Sequence, residues 1–121
     1  MRSIDIHAHI TPVGFVEASR RGEVWYGMPP DTMNIHRNNP KTHWTPDERL
    51  ADMNSLGVDV QVLSTNAYFY NYDGDPGTVT LMTQECNNYV AELVKDNPSR
   101  FSGFSTLPMQ DIKASISELE R

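Results

Sequence analysis

The stretch from Thr45 to Ser64 narrows the choice of fold more than any other. Thr45-Pro46-Asp47-Glu48 offers Thr as N-cap, Pro at the first helical position and Glu at the third, the capping-box arrangement that satisfies two orphan backbone donors reciprocally. Leu50, Met53 and Leu56 then recur at helical spacing, and Gly57 stands where a left-handed residue ends a helix. Val58-Asp59-Val60-Gln61-Val62-Leu63-Ser64 follows at once as a β-branched run of strand type. A capped helix, a stop glycine and a strand in immediate succession form an α/β junction.

The flanking sequence repeats that alternation. Ile4, Ile6, Ala8 and Ile10 alternate with polar residues, as a half-buried strand requires. Thr11 as N-cap, Pro12 at the first helical position and the stop at Gly22 predict a short helix over about 12–21. From Glu23 to Trp44 the composition shifts to Gly27, Pro29, Pro30, Asn34, Asn38, Asn39 and Pro40, interleaved with Trp25, Tyr26, Met28 and Met33. Structureless connections of this length are uncommon in compact domains and are often functional, so 23–44 reads as a loop covering a site. Beyond the junction, an aromatic loop runs from Thr65 to Gly74, and Asp75-Pro76 opens a helix. Its apolar positions Val79, Met82, Cys86, Tyr89, Val90, Leu93 and Val94 step by three and four until Asn97-Pro98 ends it. Phe101 to Leu107 predicts a third strand, weakened by Gly103, and Asp111 caps a last helix whose Ile112, Ile116 and Leu119 mark an apolar face. Strands that alternate with helices pair in parallel through right-handed crossovers.

Composition restricts the function classes. At 121 residues, with 38% hydrophobic and 21% charged residues, the chain is of single-domain size and globular in character. A net charge of -6 without basic runs excludes a nucleic-acid surface and favours a small-molecule partner. Cys86 is the single cysteine, so no intrachain disulfide can form, which points to a reducing compartment. No apolar stretch approaches the roughly 18 residues of a membrane span, and the N-terminus has no signal-peptide pattern. Together these predict a cytoplasmic protein. Nothing supports a nucleotide or serine-hydrolase site, because G-x-S-x-G, P-loop and dinucleotide fingerprints are missing.

The chemistry-bearing residues sit in the first strand. His7 and His9, two apart, point the same way and can reach one divalent ion, for which neutral imidazole is a common ligand. Asp5 shares their side in a regular strand, as a further ligand or as the carboxylate that orients one imidazole. The competing reading of a short His-x-His is a polar edge strand with two solvated histidines. Asn66 and Tyr68 follow the second strand and read as pocket or packing residues, Cys86 as core, and Asp59 as part of the helix–strand junction.

Three segments then carry a resemblance: Ile4-Asp5-Ile6-His7-Ala8-His9; the helix and strand from Arg49 through Gly57 to Val62; and Asn97-Pro98-Ser99-Arg100-Phe101 ahead of Leu107-Pro108-Met109-Gln110-Asp111. Together, in this order, they resemble the start of the aminocarboxymuconate-semialdehyde decarboxylase branch of the amidohydrolase superfamily. The resemblance implies a metal-dependent (β/α)8 TIM barrel of roughly 300 residues or more, with the site at the C-terminal ends of the strands. This chain would supply its first three βα units, as the N-terminal part of a single barrel domain within a longer enzyme. His7 and His9 would match the first-strand metal ligands, the remaining ligands and the catalytic histidine lying outside the chain. Arg37, seven residues before Trp44, would match a loop arginine that binds a substrate carboxylate, for which a planar, permanently charged guanidinium is suited. A solvated loop arginine is the alternative for Arg37, and loop or packing roles for His36 and His43.

The expected function is thus metal-dependent decarboxylation of a small aromatic or unsaturated carboxylic acid, with zinc as the default ion for two imidazoles plus carboxylate. Hydrolysis of a lactone or amide on the same scaffold is the second expectation. The third is a noncatalytic fragment or binding module that binds a ligand or pairs with a second copy through its exposed third strand, as a homo-oligomer. Alone, the 121 residues are expected to be inactive as a decarboxylase and to bind zinc weakly.

Overall fold

A computed structural model describes residues 2–31 and 40–121. Its elements run β1 (Ile4–Ile10), α1 (Val13–Arg21), α2 (Pro46–Leu56), β2 (Val60–Thr65), α3 (Pro76–Asp96), β3 (Phe101–Gly103) and α4 (Ile112–Glu120). Short 3-10 turns at Pro40–His43 and Ala67–Tyr70 punctuate the two longer connections. The strands lie in the order β1-β2-β3 and both pairings are parallel, as the alternation of strands and helices requires.

The local signals account for most boundaries. Thr45 Oγ1 accepts the Glu48 amide at 3.3 Å while Glu48 Oε2 accepts the Thr45 amide at 2.8 Å, completing the capping box. Asp75 and Asp111 cap α3 and α4 by accepting the amides of Thr78 (2.8 Å) and Ala114 (3.0 Å). Gly57 adopts φ 69° and lets the Val58 amide reach Met53 O at 2.9 Å, so α2 turns into β2 without a loop. Asp59 secures that junction, its carboxylate accepting the Ser3 amide at 2.7 Å. α1 starts one residue later than its N-cap signal indicates: Pro12 is the cap, and the Thr11 amide bonds Thr42 O at 2.8 Å. β3 ends at Gly103, well short of Leu107, and Phe104 makes the last bond to β2, its amide donating to Leu63 O at 2.9 Å.

Two apolar clusters hold these elements. In the first, Ala8, Ile10, Leu63 and Phe101 of the sheet pack against Met53 of α2 and Val90 and Leu93 of α3. In the second, Phe15 and Ala18 of α1 meet Trp25, Met28, Phe69 and the α3 residues Val79, Met82 and Cys86. Burial of roughly 1.5–3 kcal/mol per large side chain makes these clusters the main source of stability. Cys86 is core as its helical position indicates, and burial pushes its thiol up to about 12. One apolar face is exposed: Ile112, Ile116 and Leu119 of α4 are 74%, 53% and 68% exposed, while Ser115 and Glu118 are buried. Polar bonds decide that rotation, Ser115 Oγ donating to Pro108 O at 2.9 Å and Asn87 Nδ2 to Glu118 Oε1 at 2.7 Å. Among the described residues, no helix is long and apolar enough to cross a membrane.

Candidate metal centre

The rings of His7 and His9, two residues apart on β1, meet edge to face. Their ring centroids are 4.7 Å apart with the planes at 74°, so both imidazoles occupy the same space. They border a cavity of about 150 Å³ that is also lined by Asp5, Gln61 and, from the end of the 23–44 connection, Lys41 and Thr42. The His9 ring is held from β2: its Nδ1 lies 3.3 Å from Ser64 Oγ, which leaves Nε2 for a ligand. His7 is exposed and His9 half-buried. Two adjacent imidazoles, one oriented through its second nitrogen, fit part of a divalent-metal site.

The strand that carries them is not regular. Asp5 stands opposite Gln61 and Ala8 opposite Leu63, a step of three residues on β1 against two on β2, so one β1 residue is extra. The simple period of two therefore does not run through the motif. Asp5 is engaged elsewhere: its Oδ1 accepts the His7 amide at 3.1 Å and its Oδ2 accepts Gln61 Nε2 at 3.0 Å. It orients the backbone of His7 and not an imidazole. Among the described residues, no group of three or more His, Cys, Asp or Glu is placed to hold a metal ion.

Behind the strand lies Arg49, a residue that spacing arguments passed over. It is 4% exposed, and its guanidinium donates to Gln61 Oε1 (3.1 Å), His9 O (2.8 Å) and Lys41 O (2.8 Å). Burial pushes its pKa down, against the opposing pull of Tyr89, Asp5 and Asp52. The signal was present in the helix pattern: Arg49 precedes Met53 by one helical turn, on the buried stripe of α2, where an unpaired cation would be costly. Ser64 and Gln61 carried no comparable signal, since their roles depend on the register of β1 against β2.

The remaining candidates fall into structural roles or outside view. Arg37 and His36 lie outside the described residues. His43 is exposed in the 3-10 turn. Asn66 caps the turn after β2 by accepting the Tyr68 amide at 3.0 Å, and the Tyr68 ring packs edge-on against Phe15 and Phe69. Nearby, Lys41 pairs with Asp52 at 2.8 Å and lies 5.0 Å over the Trp44 ring, which pins the end of the long connection to α2.

Comparison with known proteins places this arrangement. The chain is 41% identical over 78 residues to a 2-amino-3-carboxymuconate-6-semialdehyde decarboxylase of Dictyostelium discoideum, an alignment covering 64% of this chain and 22% of that protein. Its structure matches a dihydroxybenzoic acid decarboxylase from Polaromonas sp. JS666, solved with manganese and 2-nitroresorcinol, with TM-score 0.74 and 27% identity, covering 100% of this chain and 35% of that one. A 5-carboxyvanillate decarboxylase from Sphingomonas paucimobilis matches with TM-score 0.74 and 29% identity, over 99% of this chain and 38% of that one. The three parallel strands with their helices are thus part of a (β/α)8 barrel architecture, and the chain spans well under half the length of these relatives. A profile of the family described as Amidohydrolase matches residues 4–121, and the chain belongs to that family.

Proposed function

We propose that the protein containing this chain is a metal-dependent decarboxylase of a small aromatic or unsaturated carboxylic acid, with His7 and His9 as two of its metal ligands. The observation that carries this reading is the adjacency of the two imidazoles, 4.7 Å apart in a family whose relatives here are named decarboxylases. When bound, a divalent ion supplies Lewis acidity, polarising oxygen atoms and lowering the pKa of coordinated water. The chain's own residues hold and orient: His7 and His9 as ligands, Ser64 fixing the His9 ring, Lys41 and Thr42 bordering the cavity. Arg37, four residues before Lys41, is the proposed clamp for a substrate carboxylate, and the 23–44 connection its platform over a single barrel domain. Zinc is the ion the donor set favours, and manganese is its competitor because the Polaromonas relative holds it.

Carbon dioxide release is the decisive readout. The protein expressed from its own gene, loaded with zinc or manganese, is offered 2-amino-3-carboxymuconate-6-semialdehyde, gamma-resorcylate and 5-carboxyvanillate, the acids named in the relatives. Release from at least one of them, lost by about 100-fold or more in His7→Ala and His9→Ala, is the expected outcome. Ring opening of lactones or amides without carbon dioxide release would replace decarboxylation by hydrolysis on the same centre.

A further inference from the structure

The bulge in β1 raises the question of what holds the two histidines in register. Between Asp5 and Ala8 the regular ladder with β2 is interrupted, and His7 falls within that gap. Its amide is taken instead by Asp5 Oδ1 at 3.1 Å. From there the bonds run without a break: Asp5 Oδ2 accepts Gln61 Nε2 (3.0 Å), Gln61 Oε1 accepts Arg49 Nη1 (3.1 Å), and Arg49 Nη2 donates to His9 O (2.8 Å). The chain of bonds begins on the backbone of His7 and ends on the backbone of His9. We propose that Asp5, Gln61 and Arg49 are positioning residues, a relay that sets the backbones of His7 and His9 and through them the geometry in which the two imidazoles meet a divalent ion. This rests on the metal reading of His7 and His9.

Three features favour a relay over ordinary packing. Its polarity is forced: turning the Gln61 amide over would set its NH2 against the guanidinium and its carbonyl against the Asp5 carboxylate, so each member orients the next. Arg49 is 4% exposed, and its guanidinium bonds to Gln61, His9 and Lys41 all go to neutral carbonyl oxygens. Those three acceptors fix the guanidinium in one orientation, and without it they would be left without this donor. The same guanidinium also grips Lys41 O at 2.8 Å, so the backbone of His9 and the rim residue of the cavity are positioned together.

The test uses the protein expressed from its own gene, with Asp5→Ala, Gln61→Leu and Arg49→Met variants and His7→Ala as control. Manganese dissociation constants are measured by chelator competition, and thermal unfolding is followed on the metal-free proteins. Gln61→Leu and Asp5→Ala are expected to bind manganese 10- to 100-fold more weakly, the range typical of lost outer-shell partners. The double variant should be no worse than the weaker single one, because both cut one relay. Metal-free unfolding temperatures should fall only modestly in Asp5→Ala and Gln61→Leu and further in Arg49→Met, which takes the donor from three acceptors, and if that variant fails to fold the other two decide the matter. Parent-like affinity in the folded relay variants, with binding lost in His7→Ala, would overturn the relay while leaving the metal centre standing. Parent-like affinity in His7→Ala would remove the metal reading and the relay with it.

Discussion

A methyl group at position 103 would overlap Val90 Cγ1, so glycine is what lets α3 lie against the end of β3. Gly103→Ala should therefore destabilise the protein by about 1–3 kcal/mol, read as a lower urea midpoint at constant slope. Glu118 shows the same dependence on neighbours. Its side chain is 2% exposed and accepts bonds from Arg121 at 2.8 Å and Asn87 at 2.7 Å. These bonds, Arg121 foremost, hold its carboxyl below the usual carboxylate range. Because the folded value is depressed, the stabilisation is complete above the unfolded value of about 4.3 and disappears as pH falls through the folded one. Glu118→Gln should be less stable than the parent at pH 7, with the difference narrowing below about pH 4.3; a pH-independent difference would contradict the ionic origin. Neither role could be read along the chain. Periodicity marked Ile112, Ile116 and Leu119 as an apolar face of α4, but that this face is exposed while Ser115 and Glu118 are buried follows from contacts distant in sequence.

At the scale of elements, the parts that were legible are those set by neighbours in sequence. The capping box of α2, the left-handed glycines after α1 and α2, and the Asp caps of α3 and α4 all act within a few residues. Thr45→Ala should thus cost about 1 kcal/mol in unfolding free energy by denaturant titration, with no change in metal affinity. What escaped the sequence depends on register between strands. The extra residue in β1 is visible only when Asp5 and Ala8 are set against Gln61 and Leu63, and it is this that turns Asp5 from the imidazoles to the His7 amide. Arg49 escaped for a related reason: its helical position marks it as buried, but its acceptors come from β1, β2 and the Pro40–His43 turn.

At the scale of the whole molecule, three parallel strands with helices between them place the histidine-bearing strand beside β2, so that Ser64 reaches His9 and Gln61 reaches Asp5. Fold and family were legible from element order and motif together, and the spacing of His7 and His9 pointed to the closeness of their rings. The role expected of Arg37 came only from resemblance, and Arg37 lies outside the described residues. One ion shared by the two imidazoles is the core of the proposed centre. Crystals of the protein expressed from its own gene, soaked in manganese and measured near the manganese absorption edge, test this directly. An anomalous peak within coordination distance of one ring nitrogen of each of His7 and His9, about 2 Å, is the predicted result. A peak bound elsewhere, or none at these rings while the crystals hold manganese at other sites, would contradict it.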